Sequence, residues 1–149
     1  MKRSIVAVLG ALVVVLIALA ISSLAPVRAA DVGASDKSTM QAIVSEQIAA
    51  FARNDATAAY AFASPSLHGV FATPDAFMAM VKNGYGAIYR PHSVVFGGVA
   101  MGDEGPVQTV YVTGADGESF VALYTFQKQP DGSWKINSVR VVKDDSPTI

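Results

Sequence analysis

Residues 107–142 read VQTVYVTGADGESFVALYTFQKQPDGSWKINSVRVV, and this stretch decides the fold. Apolar and polar residues alternate along it, β-branched and aromatic types dominate, and two turn signals cut it into three strands. The strands are expected at Val107–Thr113, Phe120–Gln129 and Trp134–Val142. Ala115-Asp116-Gly117 suits a tight hairpin, and Pro130-Asp131-Gly132 a second turn. In Phe120–Gln129 one face carries Phe120, Ala122, Tyr124 and Phe126. In the last strand Trp134 and Ile136 share one parity while Val139 and Val141 have the other. A bulge near Asn137-Ser138 reconciles them. Upstream, Ser93–Met101 has the same strand character, with Gly102-Asp103-Glu104-Gly105 as the turn that follows it.

Before Pro91 the period is helical. Met40, Ile43, Val44, Gln47, Ile48 and Phe51 form one stripe, with Asp36 or Ser38 as its cap and Arg53-Asn54 as its close. Asp55 can cap a short second helix through Ala56–Ala63, which Ser64-Pro65 breaks. Thr73-Pro74-Asp75 starts a third, with Phe77, Met80 and Val81 on one face and Lys82-Asn83-Gly84 as its stop. Helices followed by consecutive antiparallel strands make the class α+β: three N-terminal helices on one face of a curved four-stranded antiparallel sheet. That packing leaves a pocket between the concave sheet face and the helices.

The N-terminus sets the compartment. Ile5–Ile21 is an unbroken apolar run between Lys2-Arg3 and Val27-Arg28-Ala29. Residues 1–29 therefore read as a secretory signal cut after Ala29 or Ala30. The run also has the length of a membrane span, so an uncleaved anchor is the alternative. Both place the domain outside the cytoplasm: periplasmic or secreted, or anchored at the inner membrane through residues 5–21. Residues 30–38 read as a linker, 39–143 as one domain and 144–149 as a tail. Without Lys2, Arg3 and Arg28 the chain keeps 8 basic against 12 acidic residues, a net charge of −4. That balance disfavours nucleic acid as a partner. No cysteine is present, which removes disulfides, thiolate metal sites and thiol catalysis.

Four segments carry a resemblance. Ala59-Tyr60-Ala61-Phe62-Ala63-Ser64-Pro65 and Phe77-Met78-Ala79-Met80-Val81-Lys82-Asn83-Gly84-Tyr85 are the first two. Tyr89-Arg90-Pro91-His92-Ser93 with Phe96, and Asp131-Gly132-Ser133-Trp134-Lys135-Ile136, are the others. Together they resemble the bacterial domain-of-unknown-function 4864 family over roughly residues 40–142. Members of that family look like small exported proteins, and the resemblance implies no activity. The helix-then-sheet order and the closing Asp-Gly-x-Trp-x-Ile hairpin are also similar to the nuclear-transport-factor-2-like superfamily. This second likeness implies a cone with a pocket, and leaves function open among isomerases, dehydratases, ligand binders and assembly modules.

No catalytic motif stands out. His68 and His92 are the only histidines and have no partner at metal-ligand spacing. No Gly-x-Ser-x-Gly elbow or phosphate loop is present, and no cofactor is expected. The cluster with most chemical content is Tyr85, Tyr89, Arg90 and His92 at the helix-to-strand junction. Tyr85 and Tyr89 are one helical turn apart, and Arg90 before Pro91 can clamp an anion. Its structural alternative is two core tyrosines with Arg90 fixing the junction through an acid. Tyr60, Tyr124 and Trp134 are further pocket residues. The acids sit in turns and at helix starts, with Glu46 toward the rim of helix one, so none has a setting that tunes it for proton transfer.

Three readings follow. The first is a non-catalytic exported domain binding a small apolar or anionic ligand, or a partner. The second is a proton-transfer enzyme of isomerase or dehydratase type, using a tyrosine with His92 or Glu46. The third is a tethered assembly module that dimerises through the sheet's outer face, with Val110 and Val112 opposite Val121 and Leu123 as the apolar patch.

Overall fold

The computed structural model describes residues 31–146. The leader, its cleavage point and the last residues of the tail lie outside this range. Among the described residues five helices precede four strands: α1 Ala34–Ala52, α2 Ala56–Ala61, α3 Pro65–Val70, α4 Pro74–Gly84, α5 Gly86–Tyr89, β1 Ser93–Gly102, β2 Gly105–Thr113, β3 Ser119–Lys128 and β4 Trp134–Lys143. The strands form one antiparallel sheet in the order β1-β2-β3-β4. The class is α+β, with the helices packed against one face of an open sheet.

Two helices exceed the three expected. Helix α2 already ends at Ala61, and Ser64-Pro65, expected to break it, starts α3. The Leu67 N–H donates to the Ser64 side chain, and Pro65 takes the first helical position, where a missing N–H costs nothing. The remainder of the expected second helix, Phe62 and Ala63, together with Ser64, runs parallel to β4 instead. Ile136 donates to the Phe62 carbonyl at 2.8 Å and accepts from Ser64 N–H at 2.8 Å. The second addition, α5, is a single turn after Tyr85. Helix α1 begins at Ala34, inside the expected linker, with Gly33 as its N-cap. Asp36 lies in its first turn and accepts from Trp134 Nε1 at 3.0 Å, tying α1 to β4. Asp55 and Thr73 cap α2 and α4 as their sequences imply, at 3.0 and 3.1 Å. Asn54 adopts a left-handed φ of 55° where α1 closes.

The core lies between the helices and the inner sheet face. Met40, Val44 and Phe51 of α1, Ala59 of α2, and Phe77 and Val81 of α4 meet Val110, Val112, Ala122, Tyr124, Phe126 and Ile136. The expected bulge in β4 is present: Thr125 pairs with Ser138 and Phe126 with Ile136, leaving Asn137 as the extra residue. It turns both Ile136 and Val139 to the helices. A second bulge, between Phe96 and Val99, bends β1. The buried Gln108 side chain covers it by donating to the Gly97 carbonyl at 2.9 Å.

The register corrects the expected outer patch. Val110 pairs with Ala122 and Val112 with Phe120, and both valines are buried against the helices. A one-residue change of parity moves a strand's whole side-chain set to the other face. The outward residue is Tyr111. It belongs to a cross-strand row that spans all four strands: Val95, Tyr111, Val121 and Val142.

Candidate functional site

Between the helices and β4 lies a half-open cavity of about 240 Å³. Gln47 and Phe51 of α1 form one wall. Leu67 of α3 and the following Phe71 form another, facing Phe77, Met80 and Val81 of α4. Tyr85 and Ile88 close one end, and Ile136, Ser138 and Val139 form the sheet side. The β4 bulge creates that sheet side, since only an extra residue lets Ile136 and Val139 both face the helices. The lining is overwhelmingly apolar and contains no carboxylate, imidazole, ammonium or guanidinium.

Helix α3 has no fully buried residue, so side-chain contacts hold its wall in place. The Tyr60 hydroxyl donates to the Phe71 carbonyl at 2.5 Å. The Tyr60 ring stacks on His68 with centroids 3.9 Å apart, and His68 Nε2 lies 2.9 Å from the Tyr60 carbonyl oxygen. At the other end the Ser64 hydroxyl donates to the Asn137 side-chain oxygen at 2.8 Å. Tyr60 and His68 thus position the cavity wall and stand outside its lining.

Gln47 is the one fully polar side chain in the wall from α1. It is only 2% exposed. Its Nε2 donates to the Ala59 carbonyl at 3.2 Å, which orients the amide. Its Oε1 receives no hydrogen bond from any described residue, and it is not among the sealed polar atoms of the interior. The amide oxygen therefore keeps its acceptor capacity for a donor that enters the cavity.

The residues singled out from sequence separate into distinct places. Tyr85 lines the cavity. Tyr89 packs its ring 6.4 Å from Phe51, and its hydroxyl donates to the Asn54 side chain. Arg90 lies 5.1 Å above the Tyr89 ring, with Nη2 3.5 Å from the Ala52 carbonyl at the end of α1. A cation there complements the negative end of the helix. The junction is therefore fixed by a carbonyl and an aromatic face, with no acid involved. His92 is exposed, and its backbone N–H joins the Thr113 carbonyl at 2.8 Å. Trp134, bonded to Asp36, carries Lys128 at 5.2 Å over its ring. Tyr124 lies on the inner sheet face beside Val139, behind the cavity wall. Its hydroxyl is sealed without a partner, and burial pushes the phenol far above its usual 10.0.

Glu46 and His92 both face solvent, and neither lines the cavity. The tyrosine with His92 or Glu46 that a proton-transfer site requires is not assembled. Among the described residues no three His, Cys, Asp or Glu side chains gather as a metal site. No helix among them is long and apolar enough to cross a membrane.

Sequence reasoning passed over Gln47, Leu67 and Phe71. Gln47 left a legible trace: a glutamine inside the stripe Val44, Gln47, Ile48, Phe51, where periodicity calls for an apolar residue. Leu67 and Phe71 left none, because their place depends on α3 being held against β4, far along the chain.

A small α+β domain with helices on one sheet face and an apolar cavity between them is the class these observations define. Residues 33–149 match the family described as Domain of unknown function (DUF4864), and the chain belongs to it. No curated protein and no solved structure matches the chain.

Proposed function

We propose that this is an exported, non-catalytic binding domain that holds a small, largely apolar molecule between its helices and its sheet. The observation that carries the reading is the half-open cavity of about 240 Å³ walled by Phe51, Leu67, Phe71, Phe77 and Met80. Ligand sites are concave and mostly apolar, with a few polar groups that fix orientation, and this cavity has that make-up. The apolar run Ile5–Ile21 behind Lys2-Arg3 supports export, as a cleaved signal or as a tether. The helix-then-sheet order supports a cone of the nuclear-transport-factor-2-like kind. An anionic ligand is disfavoured, because Arg90 is engaged at the end of α1 and lies outside the cavity.

Native mass spectrometry of the protein purified from the cell that makes it tests this reading. A bound small molecule, lost in a Leu67→Trp variant that fills the cavity, is the expected result. Retention of the same molecule by a folded Leu67→Trp protein would place it elsewhere and end the reading.

A second reading rests on a separate observation. Val95, Tyr111 and Val142 are 61%, 49% and 42% exposed in one row across the sheet's uncovered face. Contiguous exposed apolar surface of this kind marks interaction sites, and it supports an assembly module that pairs through its sheet.

A further inference from the structure

We infer that the ligand of this cavity is a neutral molecule of about ten carbon atoms that carries one hydrogen-bond donor, an O–H or N–H group, seated on Gln47 Oε1. The inference rests on the reading of the cavity as a binding site and names what it binds. Three observations carry it.

The first is charge. No ionised side chain lines the cavity. A carboxylate or phosphate moved into such a wall would lose its hydration with no cation in return, and an ammonium would meet no anion. The second is size. An apolar cavity of about 150 Å³ accommodates benzene. Scaling by volume, 240 Å³ takes a hydrocarbon body of about ten carbons.

The third is polarity. Gln47 is 98% withdrawn from solvent, lines the cavity, and has its Nε2 committed to the Ala59 carbonyl. That bond leaves Oε1, an acceptor, as the amide's unpaired end. An acceptor in an apolar wall selects a ligand with a donor. A ligand offering only an acceptor, or no polar group, leaves the amide oxygen unpaired, and sites of this type discriminate through that loss.

Four naphthyl compounds of nearly equal shape separate the possibilities: naphthalene, 1-methoxynaphthalene, 1-naphthol and 1-naphthoate. Binding is measured by calorimetry and by ligand fluorescence on the purified wild-type protein and on Gln47→Met. The expected order puts 1-naphthol about tenfold tighter than naphthalene and 1-methoxynaphthalene, the loss of about one buried hydrogen bond. 1-Naphthoate is expected to be weakest. Gln47→Met is expected to keep naphthalene binding and lose the advantage of naphthol. Because the variant also loses the bond to Ala59, a wild-type measurement stands beside it. The Gln47 side-chain amide resonances should shift with 1-naphthol and remain near their free positions with naphthalene.

Equal affinity for naphthalene and naphthol, strong binding of naphthoate, or a naphthol preference that survives in folded Gln47→Met would each overturn the inference while leaving the cavity a binding site. An amide that responds equally to naphthol and naphthalene would do the same. Failure of all four compounds to bind would overturn both the inference and the reading beneath it.

Discussion

Gln47 and Tyr124 are both polar side chains inside an apolar shell, and they differ in what surrounds their free atoms. Gln47 lines the cavity with its Nε2 bonded to the Ala59 carbonyl, and the proposed ligand donor would satisfy its Oε1. The Tyr124 hydroxyl, on the inner sheet face opposite Gln108 and Val139, is sealed without a partner. Removing an unpaired buried hydroxyl while keeping the ring removes its desolvation cost. Tyr124→Phe is therefore expected to stabilise the fold by about 1 kcal/mol. For a domain of this size that is a rise in Tm of about 4–6 °C, read by circular dichroism. A fall in Tm would mean that the hydroxyl is hydrogen-bonded in solution. At this scale the sequence was partly legible. The parity of β3 put Tyr124 on one face with Phe120, Ala122 and Phe126, and the burial of Ala122, Tyr124 and Phe126 makes that face the inner one. The destination of Arg90 was not legible, because the Ala52 carbonyl it reaches is 38 residues away.

Among the elements, the strands follow their alternation closely, and the β4 bulge follows from the clash of parities between Ile136 and Val139. The helices were harder. A proline reads as a helix break or as a first helical position, and at Pro65 the Ser64 cap bonded to Leu67 N–H makes it the start of α3. The outer patch was misassigned for a related reason. Val107–Thr113 carries valines at 107, 110 and 112, so alternation alone does not say which parity faces in, and the helices decide it. The β1–β2 turn offers a sharp test. Gly105 has φ +129°, and a Cβ there would lie 2.4 Å from the Phe126 carbonyl oxygen. Backbone of the neighbouring strand cannot move aside as a side chain can. Gly105→Ala is expected to cost at least about 2 kcal/mol, from strain together with the clash. Urea unfolding measures it, and an unchanged midpoint would refute the assigned turn geometry. Gly117→Ala, at φ +85° but with open space around its Cβ, is expected to cost less, from strain alone.

For the molecule as a whole, the question is what meets the uncovered sheet face. If the row Val95, Tyr111, Val121 and Val142 pairs two copies, the protein sediments as a dimer at tens of micromolar. Tyr111→Glu, at the centre of the row, is then expected to yield a folded monomer. A wild-type protein that stays monomeric in the same concentration range would remove the assembly reading and leave the cavity reading untouched.

The amino-acid sequence by itself determined the α+β class, the four strands, the caps at Asp55 and Thr73, and membership in the family. These depend on residues within a few positions of one another, through side-chain period, turn chemistry and cap hydrogen bonds. Only the tertiary structure decided that α3 walls a cavity and that Gln47 lines it, its Nε2 held on Ala59. It also decided that Val110 and Val112 face the helices while Tyr111 faces out. Each of those outcomes depends on a partner far along the chain: Ala59 for Gln47, Asn137 for Ser64, and the helix layer for the sheet. Local pattern can specify that an element has two faces, but contact with the rest of the molecule selects the one that is buried.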